Sequence, residues 1–226
     1  MKKNRKLIIA IDGPAGAGKS TISRMVAKRL GLLYIDTGAM YRAVTWKALQ
    51  KGVDFNDLGK IAAIARKIKI ELKRDDGKDA LRVFADEKDI TGDIRTENVS
   101  RHSRIVAAVE GVRKVLVKRQ REIGKKGGVV MEGRDIGTHV FPGADVKIFL
   151  DASPLERAKR RYKELKAKGV SVNLKQIAED ISKRDHQDST RKFSPLRKAE
   201  GSVVIDSTGL TLKGVADRIL KAAGRT

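Results

Sequence analysis

Gly13-Pro14-Ala15-Gly16-Ala17-Gly18-Lys19-Ser20 is a complete G-x-x-x-x-G-K-S run, and Thr21 follows it. Glycines let a backbone close around phosphate oxygens and turn successive N–H groups inward, while the helix that follows adds its positive end. In such a loop the lysine, here Lys19, reaches the phosphoryl group in transfer, and the hydroxyl of Ser20 is the one to offer to Mg²⁺. The nine residues Gly13 to Thr21 therefore read as a holder for the phosphates of ATP.

Such a loop works only between a buried strand and a helix. Leu7-Ile8-Ile9-Ala10-Ile11 is a continuous apolar run of the kind found inside a parallel sheet, and Met25, Val26 and Leu30 give the next segment one apolar face. Further strand-like runs recur at Leu32 to Asp36, Val129 to Glu132, Val146 to Asp151 and Ser202 to Asp206, each followed by helical periodicity. That alternation predicts an α/β fold of three layers, a central five-stranded parallel sheet with helices on both faces. Ligands of open α/β sheets lie beyond the carboxyl ends of the strands. Asp12, Asp36 and Glu132, each ending a strand, are accordingly expected at the site or in support of it.

Residues 68–94 break the rhythm. Ile68 to Leu72 and Leu81 to Phe84 alternate apolar and polar, with Asp75-Asp76-Gly77-Lys78 as turn chemistry between them, so a small antiparallel insertion is predicted there. Glu97 to Ile123 reads as one long charged helical region. Arg157, Arg160 and Arg161 fall at i, i+3 and i+4 of a later helix and could point together toward donor phosphates.

The 226 residues suit one α/β domain. There is no cysteine, which excludes disulfides, thiolate catalysis and cysteine metal sites and agrees with a cytoplasmic setting. No targeting signal or membrane span is read. A formal charge of +22 would by itself suggest a polyanionic partner, but basic residues are spread along the chain and aromatics make up 4%, too few for stacking on single strands. No dedicated nucleic-acid partner is expected. His102, His139 and His186 share no motif with a nucleophile. None is needed if the acceptor is itself a phosphate, whose second pKa near ~6 leaves it largely a dianion at neutral pH. Planar, permanently charged arginines that suppress anion repulsion are then the essential groups.

Three more signatures accompany the loop: Asp36-Thr37-Gly38-Ala39-Met40-Tyr41-Arg42, Glu132-Gly133-Arg134-Asp135-Ile136-Gly137-Thr138, and Lys183-Arg184-Asp185-His186-Gln187-Asp188-Ser189-Thr190-Arg191. In this order and spacing they resemble the bacterial cytidylate kinases, P-loop nucleoside monophosphate kinases, over nearly the whole chain. The resemblance implies transfer of a phosphoryl group from ATP, with Mg²⁺, to CMP or dCMP by a monomer in the cytoplasm. It implies a core at about 1–67, 95–152 and 170–226, a nucleotide-binding insertion at about 68–94 and a short helical lid at about 153–169. It assigns Arg42, Arg134 and Arg191 to the acceptor phosphate, Arg184 and Asp188 to the sugar hydroxyls, and Arg113 and Asp135 to cytosine, with Thr37 lining the same pocket. Lys19, Arg134, Arg157, Arg161 and Arg191 would then serve the transfer itself. Where the family has a base-reading serine this chain has Arg104, with Ser103 one residue away. Two other readings of the residues are a small-metabolite kinase acting on a hydroxyl, with Asp36 as base, and a basic nucleic-acid-associated P-loop protein.

Overall fold

Apolar runs become strands where both faces can be covered, and the two most apolar lie at the centre. In the computed structural model, which describes residues 6–75, 80–167 and 169–224, the parallel strands are β1 (Ile8–Asp12), β2 (Leu33–Asp36), β6 (Val129–Gly133), β7 (Val146–Asp151) and β8 (Val203–Asp206). Their order is β2-β6-β1-β7-β8. Every residue of β1 and β6 is buried, whereas the edge strand β8 exposes three of its four. Strand starts at Leu7, Leu32 and Ser202 were each expected one residue too early, where the ladder has not yet formed.

Alternation along β1 divides the core. Ile9 and Ile11 pack with α1 (Lys19–Leu30) and α8 (Leu212–Ala222) on one face, while Ile8 and Ala10 face the other way with Met131 and Ile136. Each such aliphatic side chain contributes about 1.5–3 kcal/mol by leaving water. A second body of core joins α2 (Thr37–Gln50), α3 (Leu58–Lys67), α4 (Glu97–Ala108) and α5 (Glu110–Gly124) to the insertion.

That insertion is antiparallel as expected: β3 (Ile70–Asp75), β4 (Ala80–Ala85) and β5 (Lys88–Asp89) form a three-stranded sheet. Most of the turn expected at Asp75 to Lys78 lies outside the described residues. Asp86 and Glu87, at φ 49° and 72°, make the tight turn between β4 and β5. Val83 and Ala85 point from β4 into the helical core.

Two expectations about helices are corrected. Glu97 to Ile123 is two helices, because Val109 is extended at φ −72°, ψ 116°. The break frees the carbonyl of Ala107, which takes a hydrogen bond from Arg113 Nη1 at 3.0 Å. No helix follows β6 directly either; the chain makes one wide π turn over Ile136–Val140. The buried carboxylate of Asp12 fixes that turn, accepting from the N–H groups of Ile136 at 2.8 Å and Gly137 at 2.7 Å. Beyond β7, α6 (Pro154–Ala167) and α7 (Leu174–Thr190) pack on each other through Ala158, Ile177 and Ile181. Among the described residues no helix is long and apolar enough to cross a membrane.

Candidate active site

Parallel register brings the strand-end acids to one edge, since Asp12 pairs with Gly133 and Asp36 with Glu132. Above that edge opens a cleft of about 980 Å³. The phosphate loop from Ala15 to Thr21 forms its floor, α2, α4 and α7 form its walls, and Leu210 to Leu212 lie at one end. Gly13 and Pro14 are not part of the lining; they carry the chain out of β1. Gly13 cannot be another residue, because a Cβ there would stand 1.9 Å from the carbonyl oxygen of Leu150. Gly18 turns the loop into α1 through a left-handed conformation, φ 89°.

Lys19 opens α1 and is 7% exposed, its Nζ donating to Pro14 O at 2.6 Å. Burial, reinforced by the Arg134 charge and partly offset by Glu132, lowers its pKa to about 7. Above that pH the neutral amine dominates, and the negative charge of a bound nucleotide must restore the proton. We therefore expect ATP binding at pH 8 to take up close to one proton and to weaken as pH rises above 7. Calorimetric titrations in two buffers of different ionisation enthalpy measure this directly, and equal heats in both would refute it.

Next to Lys19, Glu132 accepts from Tyr34 Oη at 2.5 Å, and its main-chain oxygen accepts from Thr37 Oγ1 at 2.7 Å. Asp36 caps α2 by accepting from Ala39 N at 3.0 Å. It also pairs with Arg42 at 2.7 Å and Arg95 at 3.2 Å. Burial pushes the Asp36 carboxyl up, but Arg42, Arg95 and the Ala39 N–H outweigh it and hold the group below the ordinary carboxylate range. A carboxylate so held is a poor general base, which counts against the hydroxyl-phosphorylating alternative.

Deeper in the cleft Arg113 and Asp135 form a buried pair at 2.5 Å, their side chains 4% and 6% exposed. The Arg113 guanidinium lies 5.3 Å from the centre of the Tyr41 ring. Arg134 donates from Nε to Asp188 at 2.8 Å, and Arg191 reaches the other oxygen of Asp188 at 3.5 Å while donating to Ser194 O at 2.7 Å. Ser194 holds φ 50°, a conformation that turns its carbonyl toward Arg191. Arg184 lies between these groups, and burial, then Arg134, lower its pKa to about 10. Thr37, Arg42, Arg113, Arg134, Asp135, Arg184, Asp188 and Arg191 all line the one cleft.

The three arginines of α6 are placed differently from one another. Arg157 is buried beneath the loop, donating to Ala152 O at 2.9 Å and Ala15 O at 3.1 Å and pairing with Asp185 at 2.5 Å. Its side chain braces the loop from behind and takes no part in the lining. Arg161 pairs with Glu164 at 3.0 Å at the cleft's outer margin. Arg160 lies on the cleft side of the loop, bonded to Ser207 Oγ at 3.0 Å and Ser207 O at 2.8 Å. The i, i+3, i+4 spacing had marked Arg160, but spacing cannot say which of three lies innermost. Arg95, from a short 3₁₀ turn (Asp93–Arg95), was not foreseen at all.

A family model described as cytidylate kinase matches residues 9–225. The chain belongs to the cytidylate kinase family. It is 53% identical over 218 residues to the cytidylate kinase of Bacillus subtilis, covering 96% of each chain, and 50% identical over 217 residues to that of Caldicellulosiruptor bescii, covering 96% of this chain and 95% of that one. It is also 52% identical to part of a bifunctional pantoate ligase/cytidylate kinase of Trichormus variabilis, of which it spans 41%. Among solved structures, a gluconokinase from Sinorhizobium meliloti (13% identity, covering 98% of this chain and 94% of that one) and a shikimate kinase from Bacteroides thetaiotaomicron (11%, covering 96% and 98%) each superpose with a TM-score of 0.50. Those two share the fold alone.

Proposed function

We propose that this chain transfers the γ-phosphoryl group of ATP to CMP or dCMP, giving ADP and CDP or dCDP. The observation that carries the reading is one cleft, in a cytidylate kinase family chain, joining a phosphate loop to converging arginines and a buried Arg113–Asp135 pair. The loop amides and Lys19 would grip the donor phosphates. Arg42, Arg134 and Arg191 would hold the acceptor phosphate, whose oxygen attacks in line without a general base. Arg160 beside Ser207, with Leu210 and Leu212, walls the end of the cleft that the donor base would enter.

Mg²⁺ fits this site through the nucleotide. Among the described residues no group of three or more histidine, cysteine, aspartate or glutamate side chains could cage a metal. Mg²⁺ needs no such cage, because it binds phosphate oxygens, water and one or two protein oxygens. Ser20 would supply the protein hydroxyl, with Glu132 close by to accept from metal-bound water. Bound there, Mg²⁺ would neutralise charge on the transferring phosphoryl group.

Asp135 is an acceptor and Arg113 a donor, side by side. That order matches cytosine, which offers an amine beside N3 and O2, and a uracil edge reverses two of these three groups. Helices α6 and α7 would cover the phosphates during transfer, including the segment 153–169. We place the enzyme in the cytoplasm as a monomer. A coupled assay with ATP and a panel of monophosphates tests the reading. CMP and dCMP should exceed AMP and GMP in kcat/KM by at least about a hundredfold, since a buried polar pair left unmatched costs ~3 kcal/mol. A purine monophosphate used faster than CMP would overturn it.

A further inference from the structure

Most guanidinium groups around the acceptor end of the cleft already have carboxylate partners. Arg42 and Arg95 share Asp36, Arg113 has Asp135, and Arg134 and Arg191 share Asp188. Arg104 on α4 has none. It lines the cleft, and its Nε is buried without a hydrogen-bond partner among the described residues. A buried N–H left unsatisfied is costly, and a cation without a counterion among other cations is more so.

The surroundings say what would satisfy it. One turn further along α4, the carbonyl of Ala107 is held by Arg113, so this face of the helix looks into the acceptor pocket. Ser103, the neighbouring side chain, spends its hydroxyl on Ser100 O at 2.9 Å within its own helix. Arg42, Arg104 and Arg184 all line the same cleft. Asp36 and Asp188, on the walls of this space, are engaged by other arginines, and an anionic ligand would complete it.

We infer that Arg104 is a substrate-binding residue that donates to the phosphate oxygens of the acceptor nucleotide, opposite Arg184. The inference rests on the reading that the acceptor is a nucleoside monophosphate. It departs from the base-reading role that the resemblance gives to this position. A serine hydroxyl can donate or accept at a base edge, whereas a guanidinium only donates, carries permanent charge and reaches several ångströms further.

Steady-state kinetics of the wild type, Arg104→Gln and Arg104→Lys, together with equilibrium binding of cytidine, decide the matter. For Arg104→Gln we expect KM for CMP to rise at least tenfold, with kcat within about threefold and KM for ATP unchanged, while cytidine, which lacks the phosphate, binds as to the wild type. Arg104→Lys should recover most of the loss, because a phosphate accepts a point charge; a general packing defect would not be rescued in this way. An unchanged KM for CMP, or a parallel loss of CMP and cytidine binding that points to the base, would overturn the inference. Failure of the wild type to phosphorylate CMP would instead strike the proposed activity and leave this site an anion site without that substrate.

Discussion

Lys19→Ala will remove turnover while leaving CMP binding within about threefold of the wild type. Lys19 stands on the donor loop, first in α1, with Glu132 as the carboxylate beside it and the acceptor arginines on other elements. Its charge matters most when negative charge builds on the phosphoryl group in flight, so the loss belongs to kcat, by a factor on the order of 10³ or about 4 kcal/mol. The buried amine also makes the outcome separable from damage to the fold. A lysine whose pKa is lowered to about 7 by burial opposes folding, fully below that pH and by a falling amount up to its ordinary pKa of 10.5, because the unfolded chain keeps the proton that the fold disfavours. Removing it should leave the melting temperature unchanged or raise it. Kinetics, calorimetric CMP binding and a melting curve on the same preparation test all three statements, and turnover within tenfold of the wild type would refute the role of the loop.

How far the sequence reached can be judged at single residues. The loop, the five parallel strands and the insertion were legible because each depends on short-range pattern: glycine spacing, continuous apolar runs and period-two alternation. The strand-end acids were legible as a group, but not their separate tasks. Asp12 clamps the turn that follows Asp135, Asp36 caps α2 and anchors two arginines, and Glu132 faces Lys19. Those tasks depend on which strands neighbour one another, and no local pattern carries strand order. The same limit explains the arginines of α6. A helical wheel places Arg157, Arg160 and Arg161 on one face, yet only the packing of α6 against the loop puts Arg157 behind it and Arg160 beside it. The break at Val109 was invisible for a related reason: it is stabilised by a hydrogen bond from Arg113, six residues beyond Ala107, to a carbonyl that an unbroken helix would have used itself.

Asp188 and Arg191 form the sharpest test of the acceptor side, and their geometry changes what is expected of them. The resemblance makes Asp188 a partner of sugar hydroxyls, which would give Asp188→Ala unequal effects on CMP and dCMP of roughly 1 to 3 kcal/mol. The structure adds a second task, because the same carboxylate holds Arg134 through one oxygen and Arg191 through the other. Burial pushes the Asp188 carboxyl up, yet Arg134, Arg184 and Arg191 together keep it below its ordinary range, so at neutral pH it is a firm anion between cations. Asp188→Ala would release at once the two arginines proposed to hold the acceptor phosphate, and we expect a loss of at least a hundredfold in kcat/KM for both substrates, about 3 kcal/mol, with any dependence on the 2′-hydroxyl added to it. Arg191→Ala should harm CMP and dCMP by equal factors of similar size, since the phosphate is common to both. The double variant decides between independent contacts and a shared network. If Asp188 acts largely by aiming Arg191, its loss in the Arg191→Ala background should shrink well below its loss in the wild type; additive losses would mean that the carboxylate acts independently of Arg191, on the sugar or through Arg134.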